Sequence, residues 1–171
     1  MASSSINSSS LALVTMPKKK KNFYDVFVSF RGEDTRNNFT NFLFGALEEK
    51  GVFAFRDDTN LQKGESITPE LFHAIEGSQV FVVVFSKNYA FSTWCLQELE
   101  KILECVKASK THVLPIFYDV DPSVVRKQSG IYREAFVKHE ERFQQDTPMV
   151  LRWREALTQV ANLSGWDLRD K

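Results

Sequence analysis

Four short apolar runs constrain this chain more than any other feature. "FYDVFVSF" (23–30), "GVFAF" (51–55), "VFVVVF" (80–85) and "HVLPIFY" (112–118) are almost continuously hydrophobic. A strand with one wet face alternates polar and apolar residues, whereas a strand buried on both faces does not. Between the runs, apolar residues recur at helical spacing. "TRNNFTNFLFGALEEK" (35–50) places Phe39, Phe42, Leu43, Ala46 and Leu47 on one side, with Gly51 as the stop. "TPELFHAIEGS" (68–78) opens with a Thr cap and a Pro at the first helical position. "SKNYAFSTWCLQELEKILECV" (86–106) holds a third helix, and "SGIYREAFVKHEERF" and "MVLRWREALTQVANLSG" hold two more. Strand and helix in alternation predict an α/β fold, a parallel sheet covered by helices on both faces. A fifth strand is not obvious. The expected place for a short one is between the last two helices.

A chain of 171 residues fits one domain with a full-sized core. Its 22 basic and 22 acidic side chains cancel, which argues against a dedicated nucleic-acid binder. Cys95 and Cys105 have no metal-ligand or disulfide-framework spacing and read as buried reduced thiols. His73, His112 and His139 are scattered, so no metal site is expected. No apolar run is long enough to span a membrane. Residues 1–22 are Ser-rich, lack acids and carry Lys18–Lys21. They read as a disordered tail, with a faint likeness to a plastid transit peptide or a nuclear signal. The ordered domain is expected over 23–168, and residues 169–171 begin a linker or end the chain.

In sheets of this kind, functional groups gather at the carboxyl ends of the strands. Those ends lead here into "RGEDTR" (31–36), "RDDTNLQKGES" (56–66), "SKNYAFST" (86–93) and "DVDPSVVRKQSG" (119–130). No glycine-rich phosphate loop is present. The segment Phe30, Arg31, Gly32, Glu33, Asp34, Thr35 and Arg36 runs into a helix start, where backbone N–H groups and two guanidinium groups can hold a phosphate. The plainer alternative, which composition alone favours, is a glycine turn with an Asp or Thr cap and local Arg–carboxylate pairs. The loop from Arg56 to Ile67 is long enough to be a lid or a docking surface. Asp119 and Asp121 precede a Pro and read as a turn rather than a cation site.

The helix around Glu98 separates its three glutamates. At 100° per residue, Cys95, Leu96, Leu99, Ile102, Leu103 and Val106 form the buried face, with Ser92 or Thr93 as the cap. Glu100 and Glu104 fall on the solvent side. Glu98 lies at the margin, in one column with Trp94. A carboxylate sheltered beside an indole suits a base or an electrostatic stabiliser. A rim glutamate paired with Lys101 is the plainer alternative, and helix geometry by itself favours it.

Five motifs in order carry a family resemblance: "YDVFVSFRGEDTRNNFT", "FRDDTNLQKGESITPEL", "FVVVFSKNYAFSTWCLQELEKILEC", "LPIFYDVDPSVVRKQSG" and "WREALTQVANLSGWDL". From Tyr24 to Leu168 the chain resembles the TIR domain (Toll/interleukin-1 receptor/resistance) of plant intracellular immune receptors. The resemblance implies a flavodoxin-like three-layer fold with five parallel strands. It also implies cleavage of NAD+, with nicotinamide release and ADP-ribose-type products. No cofactor is implied, and NAD+, or NADP+, would be the substrate. It makes Glu98, in "WCLQEL", the catalytic acid. It assigns Phe30 through Arg36, Gly64 and Trp94 to the nucleotide site. Lys63 stands where the family commonly has Arg, and Phe91 where it has a small residue.

Two functions follow from the resemblance: an enzyme switched on by self-association or by pairing with other TIR domains, and a non-catalytic TIR–TIR scaffold. Loss of Glu98 would separate them. The first helix, the last helix and the loop 56–67 are the expected association surfaces. Action on nucleic acid is a weaker third reading, unsupported by the neutral charge. The expected location is the cytoplasm, with the nucleus also allowed by Lys18–Lys21.

Overall fold

The structure, a computed structural model, describes residues 23–57 and 67–169. The tail 1–22, the segment 58–66 with Lys63 and Gly64, and residues 170–171 lie outside the described residues.

Five parallel strands form one sheet: β1 (Tyr24–Ser29), β2 (Ala54–Phe55), β3 (Ser78–Phe85), β4 (His112–Tyr118) and β5 (Trp166–Leu168). Their order is β2-β1-β3-β4-β5. This is the flavodoxin-like winding, and its topological switch point lies between β1 and β3. The helices are α1 (Gly32–Thr35), α2 (Phe39–Glu49), α3 (Pro69–Glu76), α4 (Thr93–Ser109), α5 (Pro122–Lys127), α6 (Gly130–Arg142) and α7 (Thr147–Ala161), with a 3₁₀ turn at Tyr89–Phe91.

The runs that form β1, β3 and β4 are strands covered on both faces, whereas 51–55 supplies only the half-buried edge strand β2. Alternation along β1 sends Phe27 into a large core with Phe81, Val83, Phe85, Leu96, Leu99, Trp153 and Leu157. Val26, Val28 and Phe30 join Val82, Val84 and Ile116 on the other face. That second face is closed by Phe39, Leu43, Phe44 and Leu47 of α2. Burial of this kind, about 25 cal/mol per Å² of apolar surface, is the main favourable term for the fold.

Several expectations change in detail. The span 35–50 holds not one helix but the end of α1, a break and α2. Phe42 and Ala46 face solvent, because Phe44 takes the inward position. Only Ala54 and Phe55 of the run 51–55 pair with β1. The segment after β4 is not all loop. Asp121 accepts from the Ser123 amide at 2.8 Å and caps α5.

The fifth strand follows the last helix instead of preceding it. It has three residues, two of them exposed, so it lacks the apolar run that marks the others. A Cβ on Gly165 would lie 2.1 Å from the Pro115 carbonyl oxygen, so only glycine lets the chain enter beside β4 at that point. The same contact shows that Pro115 turns its carbonyl to the β5 side. β5 pairs only with residues 116–118, so the missing Pro115 N–H costs the sheet no ladder bond there.

Candidate active site

Helix α4 starts where sequence chemistry places it. The Ser92 hydroxyl accepts from the Cys95 amide at 3.1 Å and closes the first turn. Its cap sets the helix so that Glu98 points under the carboxyl end of β1. Glu98 is not at the margin of the apolar face: it is 1% exposed. Lys101 pairs instead with Glu76 at 2.9 Å, so the rim-pair alternative has no partner left. Glu100, the neighbour on the outer side, is partly sheltered and pairs with Arg152 at 2.6 Å.

The last residue of β1 shares the Phe27 face and meets Glu98. Ser29 Oγ donates to Glu98 Oε1 at 3.2 Å, and Ser29 Oγ lies 2.8 Å from the Tyr89 hydroxyl. That hydroxyl donates in turn to the Cys95 carbonyl at 3.1 Å. Glu98 Oε2 is buried and has no hydrogen-bond partner among the described residues. An unsatisfied buried carboxylate oxygen costs about 1–3 kcal/mol, so folding alone does not favour it. Burial, and then the nearby Asp57 charge, push the Glu98 carboxyl well above the usual glutamate range, while the Ser29 bond pulls it down. Burial, with Glu98 next in size, also drives the Cys95 thiol up, so Cys95 is no thiolate nucleophile.

Trp94 is 3% exposed, and its indole Nε1 donates to Asp57 Oδ2 at 2.8 Å. Asp57, itself 2% exposed, lies just past β2. This bond fastens the exit of β2 to the start of α4. On the return side, Gln97 accepts from the Ile67 amide at 3.1 Å. Both ends of the loop 56–67 are thereby tied to the helix that carries Glu98.

The loop after β1 is mostly engaged with itself. Arg31 pairs with Glu33 and Asp34, each at 2.9 Å. Asp34 also reaches across the switch point and accepts from Ser86 Oγ at 2.6 Å and the Asn88 amide at 2.9 Å. Thr35 is buried and hydrogen-bonded to Thr40. Phe30 packs edge-on against Phe44 at 5.9 Å, and the Arg36 guanidinium lies 5.5 Å over the Phe30 ring. A Cβ on Gly32 would come within 2.6 Å of that guanidinium, so glycine here leaves room for Arg36. Arg36 Nη2 also donates to the Asp57 carbonyl at 3.5 Å. The structure thus brings Arg36, Asp57, Trp94 and Glu98 to one end of the sheet. Asp34 and Thr35 hold loops together, Glu33 is exposed, and Gly64 lies outside the described residues.

Sequence reading missed Ser29, Asp57 and Tyr89. A serine closing an otherwise apolar strand was a readable signal, because alternation puts it on the Phe27 face. Nothing in "RDDTN" separates Asp57 from its neighbours. A groove of about 640 Å³ lies elsewhere, lined by Phe72, Lys101, Phe143, Arg152 and Trp153 among others, and Glu98 is not in its wall. Concavity and carboxylate chemistry disagree here. The sheltered acid at the switch point is the stronger marker, since the groove lacks a buried reactive group. Among the described residues no cluster could hold a metal ion, and no helix is long and apolar enough to cross a membrane.

Comparison with known proteins agrees with this architecture. The family model describing the TIR domain matches residues 23–171. Disease resistance protein RPV1 of Vitis rotundifolia is 54% identical over 170 residues, covering 99% of this chain and 12% of that protein. TMV resistance protein N of Nicotiana glutinosa is 54% identical over 149 residues, covering 86% of this chain and 13% of that protein. The chain therefore spans roughly an eighth of the length of these relatives. Among solved structures, the TIR domains of the activated Roq1 resistosome superpose with a TM-score of 0.80 at 59% identity, covering 86% of this chain and 89% of theirs. With its fold, its motifs and its relatives in agreement, the chain belongs to the TIR domain family, and its relatives are plant disease resistance proteins.

Proposed function

We propose that this domain signals in plant immunity by associating with itself or other TIR domains and cleaving NAD+ in the assembled state. The products are nicotinamide and ADP-ribose or its cyclised forms. The observation that carries the reading is Glu98, a buried carboxylate with one oxygen held by Ser29 and the other without a partner among the described residues. Nicotinamide in NAD+ is already cationic and departs neutral, so its departure needs no acid. The task left is to stabilise an oxocarbenium-like ribose, which one sheltered carboxylate does at short range. A cationic ligand also favours the ionised form of Glu98, against the push of burial.

The remaining site residues take supporting roles. Trp94 and Phe30 wall the site, and Gly32 gives Arg36 its place. Arg36 and Arg31 are the cations for phosphate, and either would serve NAD+ or NADP+. Arg31 must loosen from Glu33 and Asp34 to do so. Thr35 and Asp34 brace the loop, Glu33 tunes it, and Gly64 borders the nucleotide. The domain acts in the cytoplasm, with access to the nucleus.

A non-catalytic scaffold is the second reading. It is favoured by the exposed Phe42 of α2 and Leu151 of α7, which suit association whether or not chemistry follows. Incubating concentrated protein with NAD+ and following nicotinamide by chromatography separates the two. Glu98→Ala should lower release at least a hundredfold, as loss of an electrostatic stabiliser does. Glu100→Ala, on the same helix, should stay near wild type. Equal release from all three proteins would remove Glu98 from the mechanism, and no release from assembled wild type would leave the scaffold.

A further inference from the structure

Two fully buried hydroxyl groups stand in line behind the one oxygen of Glu98 that has a partner. Ser29 has a single proton and gives it to Glu98 Oε1. It cannot also give that proton to Tyr89, so in the 2.8 Å contact between the hydroxyls Ser29 Oγ is the acceptor whenever Glu98 is ionised, and Tyr89 shares its one proton between Ser29 Oγ and the Cys95 carbonyl at 3.1 Å. The Tyr89 ring is locked by an edge contact with Phe85 at 5.2 Å. Its neighbour Ala90 is clamped through its carbonyl by His139 Nε2 at 2.6 Å. Tyr89 therefore braces Ser29 from behind, and the Ser29 proton ends on the carboxylate.

We infer that Ser29 and Tyr89 are positioning residues for Glu98: the Ser29 hydroxyl holds Oε1 and favours its charge, Tyr89 braces that hydroxyl from behind, and Oε2 is left for the ligand. The inference rests on the reading of Glu98 as the working carboxylate. The other groups facing Glu98 do not supply this effect. Asp57, just past β2, acts against ionisation. Cys95, on the same helix, keeps a neutral thiol that donates to the Phe30 carbonyl at 3.4 Å, so it brings no positive charge to Glu98. Arg31 lies close enough to affect the Cys95 thiol but is engaged with Glu33 and Asp34. Hydrogen bonds to a charged acceptor are stronger than neutral ones, and a donor chain polarises its last member.

The test is a titration of the Glu98 carboxyl carbon by NMR, assigned by its loss in Glu98→Gln, alongside the pH dependence of nicotinamide release. Ser29→Ala should move the Glu98 midpoint upward by about one pH unit, a tenfold loss of the ionised fraction at fixed pH on the acid limb. Its kcat should recover above the shifted midpoint, with KM little changed. Tyr89→Phe removes one oxygen and keeps the ring; it should shift the midpoint the same way by less. Unmoved midpoints in both variants, or a loss of rate equal at every pH, would overturn the inference. If Ser29→Ala does not fold, the sign of the Tyr89→Phe shift decides. A midpoint that moves in a protein releasing no nicotinamide would sustain the positioning role and refute the enzyme reading, so the two failures are distinct.

Discussion

Glu98 is held in the folded protein at an energetic disadvantage, and the sign of that disadvantage can be measured without substrate. Its carboxyl binds a proton more tightly folded than unfolded. Such a group adds stability at pH below its unfolded value and loses that contribution as pH rises through its folded value. At neutral and alkaline pH the fold carries the cost of a buried charge. Glu98→Gln should therefore raise the melting temperature at pH 8, by on the order of 1–2 kcal/mol of stability, and gain little at pH 4. An equal or lower melting temperature at pH 8 would show that Glu98 is compensated in the resting protein. Helix periodicity set Glu98 apart from Glu100 and Glu104, but an angle around a helix says nothing of depth. Depth came from Ser29 at the end of β1 and Asp57 past β2, two other parts of the chain, with Trp94 one turn earlier on the same helix bonded to Asp57.

At the scale of elements, the runs of β1, β3 and β4 were legible because double coverage leaves no polar alternation to confuse them. The failures share one cause, shortness. β5 gains its place from a neighbour and not from its own composition: it sits against β4 because Gly165 offers no side chain to the Pro115 carbonyl. Gly165→Ala should push β5 off the sheet, since the obstructing atom is backbone and cannot swing aside. The expected loss is about 1–3 kcal/mol, the usual range for overpacking. Hydrogen exchange should show the change at Trp166–Leu168 and the facing residues of β4, with β1 and the Glu98 site protected as before. Spread of the loss to β1 would mean that β5 supports the whole sheet. The split of 35–50 into α1 and α2 was illegible for a related reason. Thr35 is drawn into a hydrogen bond with Thr40, which fixes a break that helical spacing alone does not reveal.

For the whole molecule, strand alternation announces a parallel sheet but not its order, because order depends on which side each crossover takes. The order β2-β1-β3-β4-β5 places the β1 and β3 ends together, and so joins the Arg31 loop to the Ser86–Asn88 loop through Asp34. The outer surface is a separate matter. Phe42 is 77% exposed on α2, and Leu151 is 58% exposed on α7. With zero net charge, little repulsion opposes their burial between copies. Removing Phe42 touches no core contact, so Phe42→Glu should leave the melting temperature within about 0.5 kcal/mol of wild type in stability terms. It should weaken assembly seen by light scattering. If catalysis requires assembly, nicotinamide release per molecule should fall steeply on dilution of wild type, and Phe42→Glu should need a higher concentration to reach the same rate, because mass action governs both. Release per molecule that stays constant across dilution in both proteins would place the complete site within one copy. In that case the exposed aromatic on α2 would serve assembly alone, and catalysis would not depend on the number of copies brought together.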